Sequence, residues 1–186
     1  MAEIVCPSLE HVLASEQCTE NFAGLGEVVY VGRKSDLAAP LTLTDGVYST
    51  PTFNAGKGLY KIECAEETQG IIGSSLSSGK GYKQTLDFVI DKVDKTTARV
   101  SRALNNLKDL FFIVPDNDDY QIMYDPIRKC KVETDGIQSN TGKKAADERQ
   151  TTCSYILQPC KYQNTYVEIT DIEKLLEGYT APSTGG

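Results

Sequence analysis

Two stretches of sequence decide the fold: GLYKIECAEET at residues 58–68 and GYKQTLDFVID at residues 81–91. The large apolar side chains of the second stretch fall on one parity: Tyr82, Leu86, Phe88 and Ile90. The side chains between them are polar, apart from Val89. Such alternation is typical of a strand with one buried face and one solvated face. We therefore expect two long strands, joined as a long hairpin by the Gly/Ser-rich residues between them.

A helix follows the second stretch directly. Asp94 is a suitable N-cap, and apolar residues then recur at helical spacing: Val100, Leu104, Leu107 and Phe111. Further alternating or apolar runs predict strands at residues 27–32, 111–114, 120–124, 129–134, 151–159 and 165–169. Asp171 is placed to cap a short C-terminal helix. The predicted fold is mainly β with one principal helix (α+β): an antiparallel sandwich or barrel with extended loops or arms.

The 186 residues fit one domain with extensions. Residues 1–26 are expected to form an N-terminal arm or a short helix around residues 7–17. The β domain is expected to span residues 27–169. Residues 170–186 then hold the short helix and a flexible tail.

Three polar or Gly/Pro-rich segments are predicted to be loops, at residues 33–57, 69–81 and 135–150. The first contains Pro40, Leu41 and Pro51, and a loop of this length often contacts a partner. The second contains three apolar residues in a flexible composition: Ile71, Ile72 and Leu76. This apolar tip either folds onto its own core or docks on a neighbouring molecule.

The charge balance disfavours broad binding to nucleic acid or to an anionic membrane, because the net charge is −7. The sequence begins without the basic and apolar regions of a secretory signal, and no apolar run reaches the length of a membrane span. We therefore expect a protein made in the cytosol, with no membrane partner.

The residues do not assemble a catalytic set. Five residues separate Gly73 from Gly79, and Gly81 follows Lys80, so the pattern departs from a phosphate-binding loop. His11 is the only histidine, and the carboxylates fall mostly in turns or on polar strand faces. DNDD at 116–119 lacks the distal Gly and Glu of a calcium loop.

The six cysteines do not have the spacing of a zinc site, and the absence of an export signal argues against disulfides. Cys64 and Cys153 lie on the apolar parity of predicted strands, so we expect small buried hydrophobic side chains there. These observations predict a non-enzymatic protein without metal or cofactor.

The layout resembles the phage tail tube, or major tail, proteins, whose fold is shared with the tubes of contractile injection systems. Three segments carry the resemblance: residues 58–92, the helix near 95–110, and SNTGKKAADERQTTCSYILQP at 139–159. The last segment is similar to the family's TG-x-x-x-x-D turn that leads into a late strand.

The resemblance implies a structural virion protein in the phage tail, assembled in the host cytoplasm. Family members form rings, often hexameric, that stack into a tube and contact other tail proteins. DNA passes through the channel without specific binding. It further implies a channel lined by carboxylates, for which the candidates are Glu63, Glu67, Asp87 and Asp91. Contacts between subunits or rings would then use the loops that contain Pro40, Leu41, Pro51, Ile71, Ile72 and Leu76.

Two alternatives stay open at this level. One is another phage structural subunit, such as a tail terminator, neck or head-decoration protein. The other is a non-catalytic binding module with a β-sandwich core.

Overall fold

A computed structural model describes residues 27–77, 79–117, 119–142 and 149–179. The chain forms eleven strands and one α-helix in these ranges. The strands are β1 (Val28–Arg33), β2 (Leu43–Thr44), β3 (Val47–Tyr48), β4 (Tyr60–Glu63), β5 (Gly70–Ser75), β6 (Tyr82–Ile90), β7 (Leu110–Asp116), β8 (Asp119–Met123), β9 (Lys131–Asn140), β10 (Gln150–Cys160) and β11 (Tyr166–Val167). The helix is α1 (Lys95–Asn106), and short 3₁₀ turns occur at Lys34–Asp36 and Ile172–Leu175.

The strands form two packed sheets. One has seven strands in the order β2-β3-β11-β8-β7-β1-β4, and the other has four strands in the order β5-β6-β10-β9. All neighbours in the four-stranded sheet are antiparallel. The predicted mainly-β sandwich with one principal helix is therefore confirmed.

The main core lies between the two sheets. The inward parity of β6 supplies Leu86 and Phe88, and the matching parity of β10 supplies Cys153, Tyr155 and Leu157. The large aromatic side chains meet here, with the Phe112 and Tyr155 ring centroids 4.4 Å apart. The alternation read from residues 82–90 is thus confirmed, because this sheet buries only one face.

A second core covers the other face of the seven-stranded sheet. Residues on β7 alternate between the two cores: Phe111 and Ile113 face this one, whereas Phe112 and Val114 face the main one. Leu37 and Leu41 from the 33–57 segment, and Ile172 near the C-terminus, complete the second core. The segment predicted to be a loop at 33–57 therefore packs against its own sheet, and it also contributes β2 and β3 to that sheet, which the prediction missed.

Helix α1 begins as predicted. The Asp94 side chain accepts a hydrogen bond from Thr97 N at 2.7 Å, which satisfies one of the free amides of the first turn. Leu104 is buried in the main core, with Val100 and Leu107 packed around it. The helix ends at Asn106, so Phe111 belongs to β7 and not to the helical stripe.

The predicted long hairpin between 58–67 and 82–91 does not form. β4 pairs with β1 in the seven-stranded sheet, while β6 pairs with β5 and β10 in the other. Residues 70–75, predicted to be loop, are the strand that pairs with β6. Residues 135–140, also predicted to be loop, extend β9 to Asn140. Both segments are rich in Gly or polar residues, and both are outer strands. Each is held in place by pairing with the neighbouring strand.

The remaining predictions concern the two ends of the chain. The residues predicted as an arm or a short helix, at 1–26, and the tail at 180–186 lie outside the described residues. The N-cap predicted at Asp171 is confirmed, since its carboxylate accepts from Glu173 N at 3.2 Å, but the element it caps is a 3₁₀ turn.

Candidate functional site

The outer face of the four-stranded sheet is the most distinctive surface of the described chain. Pairing registers place residues of the four strands in rows across it. One row is polar and centres on Asp87 and Ser154, which pair across β6 and β10. The neighbouring row is more apolar and runs from Ile72 through Thr85 to Ile156. A sheet with one core face and one mixed polar face suits contact with water or a polar partner.

The polar row is held by hydrogen bonds. Ser154 Oγ lies 2.5 Å from Asp87 Oδ1 and 3.1 Å from Glu133 Oε2. A hydroxyl has one proton, so it donates to one of the two carboxylates at a time. Lys83 Nζ lies 3.7 Å from Glu133 Oε1, which leaves the cluster with one net negative charge. We name Asp87, Ser154, Glu133 and Lys83 the polar cluster of this sheet.

The four carboxylates predicted to line a channel do not share one strand face. Asp87 projects from the outer face of the four-stranded sheet. Glu63 lies in the seven-stranded sheet. Its neighbour Ile62 faces the main core, so the Glu63 side chain projects from the other face of that sheet. It therefore points away from Asp87. Glu67 is exposed in the connection between β4 and β5, and Asp91 is exposed just after β6.

The six residues predicted to make contacts between subunits are also divided. Leu41 and Pro51 are buried within the chain, so they are not available to a neighbour. Ile71 is half-buried against the main core. The accessible members are Pro40, the half-buried Leu76 in the β5–β6 turn, and Ile72, which is 60% exposed on the outer face of β5.

Sequence reasoning missed Glu133 and Ser154. The signal for Ser154 was present, because the apolar parity of residues 153–157 places the residue between Cys153 and Tyr155 on the outer face. Glu133 had a weaker signal, since the register between β9 and β10 shifts between Cys153 and Tyr155. Alternation cannot predict an irregularity that depends on pairing.

The outer strands of this sheet offer unpaired backbone groups. Leu76 N donates to Gly81 O at 3.1 Å, so Leu76 and Gly81 form a hydrogen-bonded pair of the β5–β6 ladder. In an antiparallel ladder such pairs alternate with pairs whose backbone groups point outward. The N–H groups of Gly73 and Ser75 therefore point away from β6, and Gly73 O accepts from the Gln163 side chain at 2.8 Å. β9 is the opposite outer strand, and neither β5 nor β9 has a second neighbour among the described strands.

The cysteines of the described residues are thiols in apolar surroundings. Cys153 is 2% exposed, as predicted for a buried strand residue, whereas Cys64 is half-buried. Burial raises the pKa of both Cys130 and Cys153 to about 12, so these thiols are protonated at neutral pH. The described ranges contain no cluster of three or more His, Cys, Asp or Glu side chains that could hold a metal ion. His11 lies outside them.

Comparison with known proteins finds no matching family model, no matching curated protein and no matching solved structure. None of the helices in the described ranges combines the length and the apolar character needed to cross a membrane.

Proposed function

We propose that this chain is the structural subunit of a phage tail tube, which forms rings that stack around a channel for DNA. One observation supports the proposal: the four-stranded antiparallel sheet has a mixed outer face that carries charged side chains and, among the described strands, two edges without a neighbouring strand. An open edge presents unpaired N–H and C=O groups to another strand. Joining β5 of one copy to β9 of the next would pair the outward N–H groups of Gly73 and Ser75, with the Gln163 side chain displaced from Gly73 O.

The difference between the two edges favours a head-to-tail contact. β5 has 6 residues and β9 has 10, so a β5–β9 contact is heterologous. A heterologous contact closes into a ring when the rotation from one copy to the next divides a full turn, and it otherwise builds an open filament. The joined sheets would form one continuous inner barrel, as expected from the resemblance of the sequence to tail tube proteins.

In this arrangement the outer face of the four-stranded sheet lines the channel. Asp87 and Glu133 would then place carboxylates on the lumen once per subunit, partly balanced by Lys83. Carboxylates repel the phosphates of DNA and so limit adhesion during passage. Of the four carboxylates chosen from the sequence, Asp87 is the one that keeps this role in the proposal.

Contacts between stacked rings would use exposed loop residues. Leu76 lies in the β5–β6 turn, and Pro40 is exposed in the 33–57 segment. Leu41 and Pro51 are left out of the proposal, because their side chains are buried in their own chain.

Negative-stain electron microscopy of the purified protein tests the function directly. We expect rings or tubes with a central channel. A strictly monomeric particle at high protein concentration would contradict the proposal, and so would an assembly without a channel.

A proline on the β5 edge tests whether this edge pairs with another copy. Ser75→Pro removes an outward N–H and leaves the β5–β6 ladder intact, so we expect normal folding without tubes. The control is Ser77→Pro, in the turn closed by Gly79 N donating to Leu76 O, where proline is compatible with the turn. Tubes formed equally well by both variants would refute the role of this edge.

A further inference from the structure

Helix α1 carries a stripe of positive charge that the described chain does not use. Lys95, Arg99 and Arg102 are exposed and lie at spacings of four and three residues, so they share one face of the helix. None of them takes part in the ion pairs found among the described residues. We name these three residues the cationic stripe.

The cationic stripe disfavours the helix in an isolated subunit. Like charges three and four residues apart repel one another. Lys95 also stands in the first turn, at the positive end of the helix dipole, and this turn has no acidic residue. The carboxylates on either side are already occupied, since Asp94 binds Thr97 N and Lys92, while Asp109 binds Arg33 and Ser35.

An apolar groove lies beside the stripe. It has a volume of about 400 Å³ and runs between α1 and the strands β1 and β4. Its lining from α1 includes Val100, Ala103 and Leu107. At about 100° per residue, the exposed Ala103 lies between the stripe and the buried side of the helix, so stripe and groove form one continuous surface. The apolar part can exclude water around the charged part.

Helix α1 lies next to β9, at one edge of the four-stranded sheet. The helix contacts β9, and the pocket at its C-terminal end is lined by Lys108, Lys131 and Val132. The stripe therefore stands on the β9 side of the four-stranded sheet. β5 is the opposite edge strand of this sheet, and the connection from β4 into β5 exposes Glu66 and Glu67. Neither glutamate forms an ion pair among the described residues.

We infer that the cationic stripe and its groove bind a second copy of this chain, at the acidic connection before β5. The inference rests on the proposed function for the order of subunits in a ring, with the β9 side of one copy against the β5 side of the next. The charges are complementary in that order. The chain as a whole carries 26 acidic and 19 basic residues, so a cation-rich patch is what an identical acidic neighbour requires.

Charge reversal tests the contact. Arg99→Glu/Arg102→Glu should raise the protein concentration needed for assembly at least about tenfold, because it replaces attraction by repulsion. The control Lys57→Glu/Lys161→Glu changes the net charge equally at exposed sites away from the stripe and should assemble as wild type does. Assembly is measured by sedimentation velocity at low and high salt, and circular dichroism checks that each variant folds.

A charge swap tests the partner surface. Glu66→Lys/Glu67→Lys should impair assembly alone and restore it when combined with Arg99→Glu/Arg102→Glu in the same chain. A combination that stays as defective as the single variants would overturn the pairing. Binding of wild type to duplex DNA that the stripe reversal abolishes would assign the stripe to nucleic acid instead.

The outcomes separate this inference from the proposed function. Tubes from Arg99→Glu/Arg102→Glu at the wild-type concentration overturn the inference and leave the function standing. Assemblies that have no channel but lose stability on stripe reversal overturn the function and support the inference. A wild-type protein that stays monomeric overturns both.

Discussion

The hydroxyl of Tyr155 joins the four-stranded sheet to α1, and its removal should measurably destabilise the fold. Tyr155 is 1% exposed and donates a hydrogen bond to Leu104 O at 3.0 Å. The helical donor to this carbonyl would be Lys108 N, but α1 ends at Asn106, so Leu104 O is one of the free acceptors of the last turn. Tyr155→Phe removes the donor and keeps the ring against Phe112.

The expected cost follows from the buried carbonyl. An unsatisfied buried acceptor costs about 1–3 kcal/mol. Taking about 2 kcal/mol, a chain of this size should melt about 4–8 °C lower. Urea unfolding followed by circular dichroism, below the concentration for assembly, should show a lower midpoint with an unchanged slope.

A matched variant controls for the loss of a tyrosine hydroxyl. Tyr162 is half-buried, and its hydroxyl has no hydrogen bond among the described residues, so Tyr162→Phe should change stability by less than about 0.5 kcal/mol. A Tyr155→Phe variant as stable as Tyr162→Phe would refute the reasoning that this bond anchors the helix to the sheet.

Two further predictions concern packing and pH. A Cβ at Gly32 would overlap the Phe111 ring, so Gly32→Ala should lower the unfolding free energy by about 1–3 kcal/mol, whereas Gly70→Ala, in open space, should be near neutral in urea unfolding. Burial raises the pKa of Cys130 and Cys153 from 9.0 to about 12, so the unfolded state loses these protons first as pH rises. Stability should therefore fall between pH 9 and 12, by up to about 1.4 kcal/mol per pH unit for each thiol. Replacing Cys130 by Ala should flatten that slope, and an unchanged slope would contradict the assignment.

Local patterns predicted the elements whose burial is one-sided. The alternation in β6 and β10 indicated which side chains enter the core, because each strand has one covered face. Asp94 marked the start of α1 through the chemistry of capping. The apolar run at 111–114 predicted a strand, and the structure explains why it does not alternate: β7 is covered on both faces.

The elements that sequence reasoning missed owe their structure to a neighbour. β5 is rich in Gly and Ser and has little intrinsic preference for a strand, yet it pairs with β6 over six residues. Gly73 is required there for a reason invisible in sequence, since a Cβ would lie 2.5 Å from Gln163 Cγ, 90 residues away along the chain. The polar end of β9 is likewise a strand because β10 pairs with it.

The candidate channel residues failed to converge for a related reason. Parity within a strand tells which side chains share a face, but it does not tell which sheet the strand joins. Glu63 and Asp87 were both expected on one polar ribbon. Because β4 joins the seven-stranded sheet, their carboxylates project on different sides of the molecule.

The charges beside the two open edges also bear on how copies would pair. A two-fold contact of β9 with β9 would bring two cationic stripes together, and a contact of β5 with β5 would bring the Glu66 and Glu67 pairs together. Like charges across an interface are unfavourable, so both isologous dimers are disfavoured. The heterologous β5–β9 contact is the one in which opposite charges meet. The same charge pattern that weakens α1 in the isolated subunit would thus select head-to-tail association over two-fold dimerisation.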